Sequence, residues 1–334
     1  DHYWKRTAQR EATASRFVAV KRRAAFARES TLAERGTRAQ TPSMRHVRTT
    51  LLMASQQLSS AVQWSTAQKA VQRLVPPLSF DSRKGQNGRI GVLGGSYEYT
   101  GAPYYAAQSA LQAGADLAYV FCADGAAPAI KSYSPELIVL PCYKTANMHD
   151  QQATATAMQE VRPWLARLDC CVIGPGLGRD EGVLQGVSSL MTAAEVRSIC
   201  TIVDADGLFL VARDPELVEG RSDCVLTPNR RELERLAARL DVAAEAADVA
   251  AQVARKLGNV VVVAKGQRDV ITDGTDVLVC DEPGAPKRCG GLGDVLCGAL
   301  APLAAQAARP DAADAAFVGK RPLLWACYGA CVAS

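Results

Sequence analysis

The stretch Cys289-Gly290-Gly291-Leu292-Gly293-Asp294 sets three glycines and a carboxylate ahead of apolar residues at helical spacing, Leu296, Ala299, Leu300 and Leu303. Glycines in that place let successive backbone N–H groups converge on an anion, and the dipole of the following helix adds to the attraction. Phosphate is the natural ligand. A carboxylate beside an anion hole suits phosphoryl transfer, where positioning and charge stabilisation supply most of the catalysis. An isolated Gly-Asp would serve equally well as a helix cap, but the glycine density before Asp294 favours the anion site. Lys265, followed by Gly266, can approach a phosphate chain closely or stand as a solvated loop residue. Asp204 and Asp206 divide evenly between a site role and capping of a helix starting near Gly207. The chain holds only His2, His46 and His149, so acid–base work in the C-terminal half falls to carboxylates or lysine.

The elements that must position these groups are short apolar runs at 89–93, 116–122, 137–140, 170–173, 200–203, 224–226 and 260–264. Most are apolar throughout instead of alternating, as strands covered on both faces are. Helical segments at 104–113 and 232–240 lie between them, and 276–287 reads as a hairpin or loop. A parallel sheet between helix layers follows. In such sheets ligands bind beyond the carboxyl ends of the strands. The residues there are Gly94-Gly95-Ser96, Gly174-Pro175-Gly176-Leu177-Gly178, Asp204-Ala205-Asp206-Gly207, Thr227-Pro228-Asn229 and Lys265-Gly266. Neither early glycine cluster fits the dinucleotide fingerprint with its ribose-binding acid, and Pro175 removes a donor. An NAD-dependent dehydrogenase is therefore disfavoured.

Residues 1–50 hold 12 Lys/Arg against 4 Asp/Glu, leaving 26 basic and 30 acidic residues for the rest of the 334. The basic character belongs to residues 1–60, which read as a targeting leader or a disordered arm. The mildly acidic remainder lacks the basic clustering that nucleic-acid binding needs. No apolar run approaches the roughly 20 residues of a membrane span. Eleven cysteines sit mostly in apolar runs without zinc-like spacing, as buried free thiols of a reducing compartment would.

An ordered set of segments resembles the NAD(P)H-hydrate dehydratase family, a branch of the ribokinase-like superfamily. It comprises Gly85-Gln86-Asn87-Gly88-Arg89-Ile90-Gly91-Val92-Leu93-Gly94-Gly95, Tyr99-Thr100-Gly101-Ala102-Pro103-Tyr104, Ser134-Pro135-Glu136-Leu137, Gly174-Pro175-Gly176-Leu177-Gly178-Arg179-Asp180, Val203-Asp204-Ala205-Asp206-Gly207, Leu226-Thr227-Pro228-Asn229 and Cys289 to Asp294. The style of Arg288-Cys289-Gly290-Gly291 is similar to the eukaryotic, ATP-using branch. The resemblance implies a ribokinase-like three-layer α/β/α fold with a mostly parallel central sheet, over residues 61–334, ending short of a further helix that relatives carry. It implies ATP-dependent dehydration of hydrated NADH or NADPH (NADHX, NADPHX), with Mg²⁺ bridging the phosphates and no protein metal site assigned.

The same resemblance distributes the roles. Gly176, Asn229, Arg230, Arg231, Glu232, Leu233, Glu234 and Arg235 would contact the hydrated cofactor. Lys265, Gly266, Gln267, Arg268 and Asp269 would hold ATP, with Gly284, Ala285, Pro286, Lys287, Arg288, Cys289, Gly290, Gly291, Leu292 and Gly293. Asp294 would face the substrate hydroxyl and take its proton. Two residues depart from the family pattern: Leu292 stands where Gln or Ser is usual, and Leu233 where Phe is. The alternatives are a ribokinase-like small-molecule kinase and a catalytically silent nucleotide-binding relative. The expected partners are small molecules, NADHX or NADPHX and ATP, with self-association left open and neither nucleic acid nor membrane among them. The expected compartment is mitochondrial or cytoplasmic.

Overall fold

The computed structural model describes residues 64–144, 151–309 and 321–334. The expected basic leader, residues 1–60, lies outside the described residues. Nine strands form one sheet in the order β3-β2-β1-β4-β5-β6-β7-β8-β9. They are β1 (Arg89–Leu93), β2 (Leu117–Ala123), β3 (Ile138–Tyr143), β4 (Cys170–Ile173), β5 (Cys200–Val203), β6 (Cys224–Leu226), β7 (Val261–Ala264), β8 (Asp269–Thr272) and β9 (Val277–Cys280). The first seven run parallel; β7, β8 and β9 pair antiparallel. All seven expected strands exist within three residues of their expected ends. The stretch 276–287 divides into β9 and an exposed irregular segment, 281–290.

The long helices are α1 (Trp64–Gln72), α2 (Gly101–Gln112), α3 (Ala127–Tyr133), α4 (Gln151–Met158), α5 (Glu181–Thr192), α6 (Ala205–Arg213), α7 (Arg230–Arg239), α8 (Val249–Lys256), α9 (Leu292–Ala307) and α10 (Pro322–Ala333). Strand order reverses between β1 and β4. Right-handed crossovers therefore put α2 and α3 on one face and α5 to α8 on the other. Helices α9 and α10 join the α2 face, where α9 packs against α2, α10, β1, β4 and β5. This is the expected three-layer α/β/α arrangement. Strands β4 and β5 are buried at every residue, which is why they read as unbroken apolar runs. Ala106, Ala107 and Ala110 are fully buried on α2; their small side chains let the helix lie close to the sheet and to α9.

Register does the positioning. Leu93 pairs with Ile173, Ile173 with Val203, and Val203 with Leu226. The residues that follow, Gly94, Gly174, Asp204 and Thr227, therefore form one row across the carboxyl end of the sheet. Backbone bonds extend the ladder through that row: Gly174 N–H to Leu93 O at 3.0 Å, Asp204 N–H to Ile173 O at 3.0 Å and Thr227 N–H to Val203 O at 3.1 Å. No helix among the described residues is long and apolar enough to cross a membrane. Ten of the eleven cysteines are buried and all are free, Cys289 being the exposed exception. Burial pushes the Cys171 and Cys224 thiols up to about 12, so they are inert at neutral pH.

Candidate active site

At the centre of the row Asp204 is 3% exposed. Its Oδ1 accepts a hydrogen bond from Lys265 Nζ at 2.6 Å and another from Thr227 Oγ1 at 2.8 Å. Asp204 makes no side-chain cap to α6, so the ion pair decides its role against capping. Asp206 turns the other way and accepts Gly178 N–H at 3.0 Å and Arg179 Nε at 3.1 Å, bracing the glycine loop after β4. A side chain at Gly174 would stand 1.9 Å from Asp204 O, and its φ of 123° is one that glycine tolerates. That close approach lets the β4 and β5 loops lie side by side.

Helix α9 begins earlier than the sequence suggested. Its first turn is Leu292-Gly293-Asp294, with Gly291 as a left-handed N-cap at φ 92°. Asp294 thus sits inside the first turn, not ahead of it. The amides of that turn have no partner within the helix, and Gly291 has no side chain to cap them. A side chain at Gly293 would meet Lys265 Nζ at 3.1 Å and Asp204 Oδ2 at 3.3 Å, so the uncapped helix end abuts the buried ion pair. A Cβ at Gly291 would stand 3.0 Å from the Tyr105 ring on α2.

Three charges meet there. Burial, and next the negative charge of Asp204, push the Asp294 pKa up to about 7 against the pull of Lys265. Burial opposes the Lys265 charge as well, yet Asp204, with Glu232 behind it, holds the ammonium protonated above its ordinary range. The result is a carboxyl poised at neutral pH, a fixed cation and a set of free helix amides. This group can accept a proton and stabilise charge on a transferring phosphoryl group.

The remaining expected residues separate into several environments. Asn229 caps α7: its side chain accepts Glu232 N–H at 3.1 Å while Glu232 returns a bond to Asn229 N–H at 2.8 Å. Burial raises the Glu232 pKa although that backbone bond opposes it, and its charge reaches Lys265. Arg230 pairs with Glu234 along the helix surface, and Arg231 and Arg235 are exposed. Leu233 is buried in the core, a placement that suits packing better than the substrate contact expected of it. Gly266 N–H bonds Asp269 Oδ1 at 2.8 Å, closing the β7–β8 turn over exposed Gln267 and Arg268. Gly284, Ala285, Pro286, Lys287, Arg288, Cys289 and Gly290 are all exposed between β9 and α9, and Leu292 is 49% exposed. Gly176 lies under Tyr99 and Ala102. Sequence reasoning placed Thr227 at a strand end without giving it a role, and passed over Tyr105. Thr227 follows β6 directly, a positional signal; Tyr105 had none.

A family model described as NAD(P)H-hydrate dehydratase matches residues 90–321. The ATP-dependent (S)-NAD(P)H-hydrate dehydratase of Homo sapiens is 48% identical over 267 residues, covering 78% of this chain and 73% of that protein. The protein of the same name from Sorghum bicolor is 45% identical over 269 residues, covering 78% and 70%. Among solved structures, a ribokinase-like superfamily protein from Enterococcus faecalis superposes with TM-score 0.63 at 21% identity, covering 78% of this chain and 84% of that one. The ADP/ATP-dependent NAD(P)H-hydrate dehydratase of Bacillus subtilis, co-crystallised with ATP and Mg²⁺, gives 0.54 at 22%, with the same coverage. These two likenesses speak to the fold.

Proposed function

The chain belongs to the NAD(P)H-hydrate dehydratase family, and we propose from its site how it carries out that family's ATP-dependent repair of hydrated NADH and NADPH. The observation that carries the proposal is the junction of Asp294, Lys265 and Asp204 at the uncapped end of α9. Asp294 takes the proton of the substrate hydroxyl as its oxygen attacks the γ-phosphorus and the bond to ADP breaks. The amides of Leu292, Gly293 and Asp294 and the Lys265 ammonium stabilise the charge on the transferring oxygens. Asp204, held by Thr227, fixes Lys265 in place and raises the basicity of Asp294. The phosphorylated carbon then loses phosphate, driven by the ring nitrogen lone pair, and the neighbouring carbon releases a proton. The balance is hydrate plus ATP to dihydronicotinamide, ADP and phosphate.

Mg²⁺ fits this end of the sheet as a nucleotide-borne ion. A hard cation of this kind is held by phosphates and water with one or two carboxylates. Asp204, Glu232 and Asp294 are the carboxylates whose charge reaches Lys265. When bound, the ion would neutralise charge across the phosphates. The test is to incubate the purified protein with hydrated NADH, ATP and Mg²⁺, following dihydronicotinamide absorbance and free phosphate. Accumulation of a phosphorylated product without either signal would identify a kinase instead.

A further inference from the structure

We propose that a cavity of about 320 Å³ beyond the carboxyl ends of β1 and β4 receives the nucleoside at the far end of the dinucleotide substrate. The proposal rests on the dehydratase reading above. The cavity is lined by Ser96, Tyr97, Glu98, Gly178, Arg179 and Val183, among others. It lies where the strand order reverses, which is where open α/β sheets bind ligands. Its volume is near the lower end of small-molecule pockets. That suits one nucleoside, not a whole dinucleotide.

Ser96 points to a ligand. The residue is 6% exposed, and its buried Oγ has no hydrogen-bond partner. A buried hydroxyl left unpaired destabilises a fold and needs an explanation; with the Ser96 side chain turned toward the cavity, a ligand hydroxyl would complete it. The Oγ stands beside Gly178, at 3.6 Å from where a Cβ there would be. At the rim the Tyr97 ring is 71% exposed, an apolar face on which a base can stack. The Glu98 carboxylate is exposed next to it and can accept from ribose hydroxyls.

The charge pattern argues against a phosphate. Glu98 and Asp180 line the cavity, and its cation, Arg179, already bonds Asp206 at 3.1 Å and lies over the Phe209 ring at 4.4 Å. An uncharged sugar and base fit such a lining better than a free anion. Placement agrees. The reacting group sits at β5, and the cavity spans the ends of β4, β1 and β2, where Ala123 borders it, one to three strands away in the sheet order. At about 4.8 Å per strand its far border is roughly 14 Å off, a reach suited to a dinucleotide passing over Gly176.

The experiment compares hydrated NADH with hydrated reduced nicotinamide mononucleotide, at saturating ATP and Mg²⁺, for wild type, Ser96→Ala and Tyr97→Ala. For the dinucleotide, Ser96→Ala should raise KM roughly fivefold to tenfold, the worth of one hydrogen bond, with kcat preserved. Tyr97→Ala should raise the same KM. Mononucleotide kinetics should be unchanged in both, and Ser96→Ala should melt no lower than wild type, because it removes an unpaired hydroxyl. If wild type turns over the dinucleotide and both variants keep its KM, the cavity is not part of the substrate site while the dehydratase reading stands. Equal losses on both substrates would reveal a structural role for Ser96 and overturn the inference. Failure of wild type to turn over either hydrate would remove the dehydratase reading and this inference with it.

Discussion

Replacing Asp294 with asparagine should make the protein more stable at alkaline pH while stopping its chemistry. In the fold the Asp294 carboxyl titrates at about 7 against an ordinary 3.8, chiefly because it is buried and then because Asp204 is negative. The gap is roughly three pH units at about 1.4 kcal/mol each, a ceiling of about 4 kcal/mol for ionising the group in place. Partial exposure to water reduces that to about 2 kcal/mol. The folded pKa lies above the unfolded one, so the stability tied to this proton is whole below about pH 4 and is lost as pH rises through about 7. Asparagine has nearly the same shape as the protonated carboxyl and cannot ionise. The variant should therefore match wild type near pH 4 and exceed it by about 2 kcal/mol at pH 8. Denaturant unfolding of ligand-free protein at several pH values measures this, and steady-state kinetics should show turnover reduced by a factor on the order of 10² or more. A variant no more stable than wild type at pH 8, or one that keeps wild-type turnover, would refute the poised-base argument.

Asp204→Asn removes the second cause of the raised Asp294 pKa, so the acid limb of the kcat/KM profile should move to lower pH. The same change leaves Lys265 without its buried partner, and unfolding should show a loss of about 3–5 kcal/mol; an unmoved acid limb would disconnect the two carboxylates. Gly291→Val places a β-branched residue at φ 92° against the Tyr105 ring. It should lower stability by about 1–3 kcal/mol and abolish ATP binding by calorimetry, whereas normal ATP affinity in a variant with a lowered melting temperature would refute the role of the helix end. Gly174→Ala puts a methyl 1.9 Å from Asp204 O and should lower both stability and turnover, because the β4 and β5 loops must separate; circular-dichroism melts and the absorbance assay check it.

Much was legible in the sequence because its signals are local. Strands β1, β4, β5 and β6 have the expected ends, since residues covered on both faces must be apolar and the run stops where the chain leaves the sheet. The glycine-led entry into α9 was legible because glycine density before a helical apolar pattern is itself a local signature. The start of α9 at Leu292 was not legible, because the left-handed Gly291 lets the helix begin through Leu292 and Gly293, residues whose types gave no capping signal. The role of Asp204 was undecided for a different reason: its partners, Lys265 and Thr227, lie 61 and 23 residues away. Only the parallel register brings them together, by aligning the ends of β5 and β6 and setting β7 beside them. The pKa of Asp294 likewise depends on burial of the first turn of α9 and on the charge of Asp204 beyond β5, and the orphaned hydroxyl of Ser96 depends on what surrounds it in space. The sequence by itself determined the alternation of strands and helices and the kinds of groups at the strand ends. Tertiary structure alone decided which of those groups meet and in what protonation state, because pairing, burial and electrostatic coupling are properties of neighbours in space.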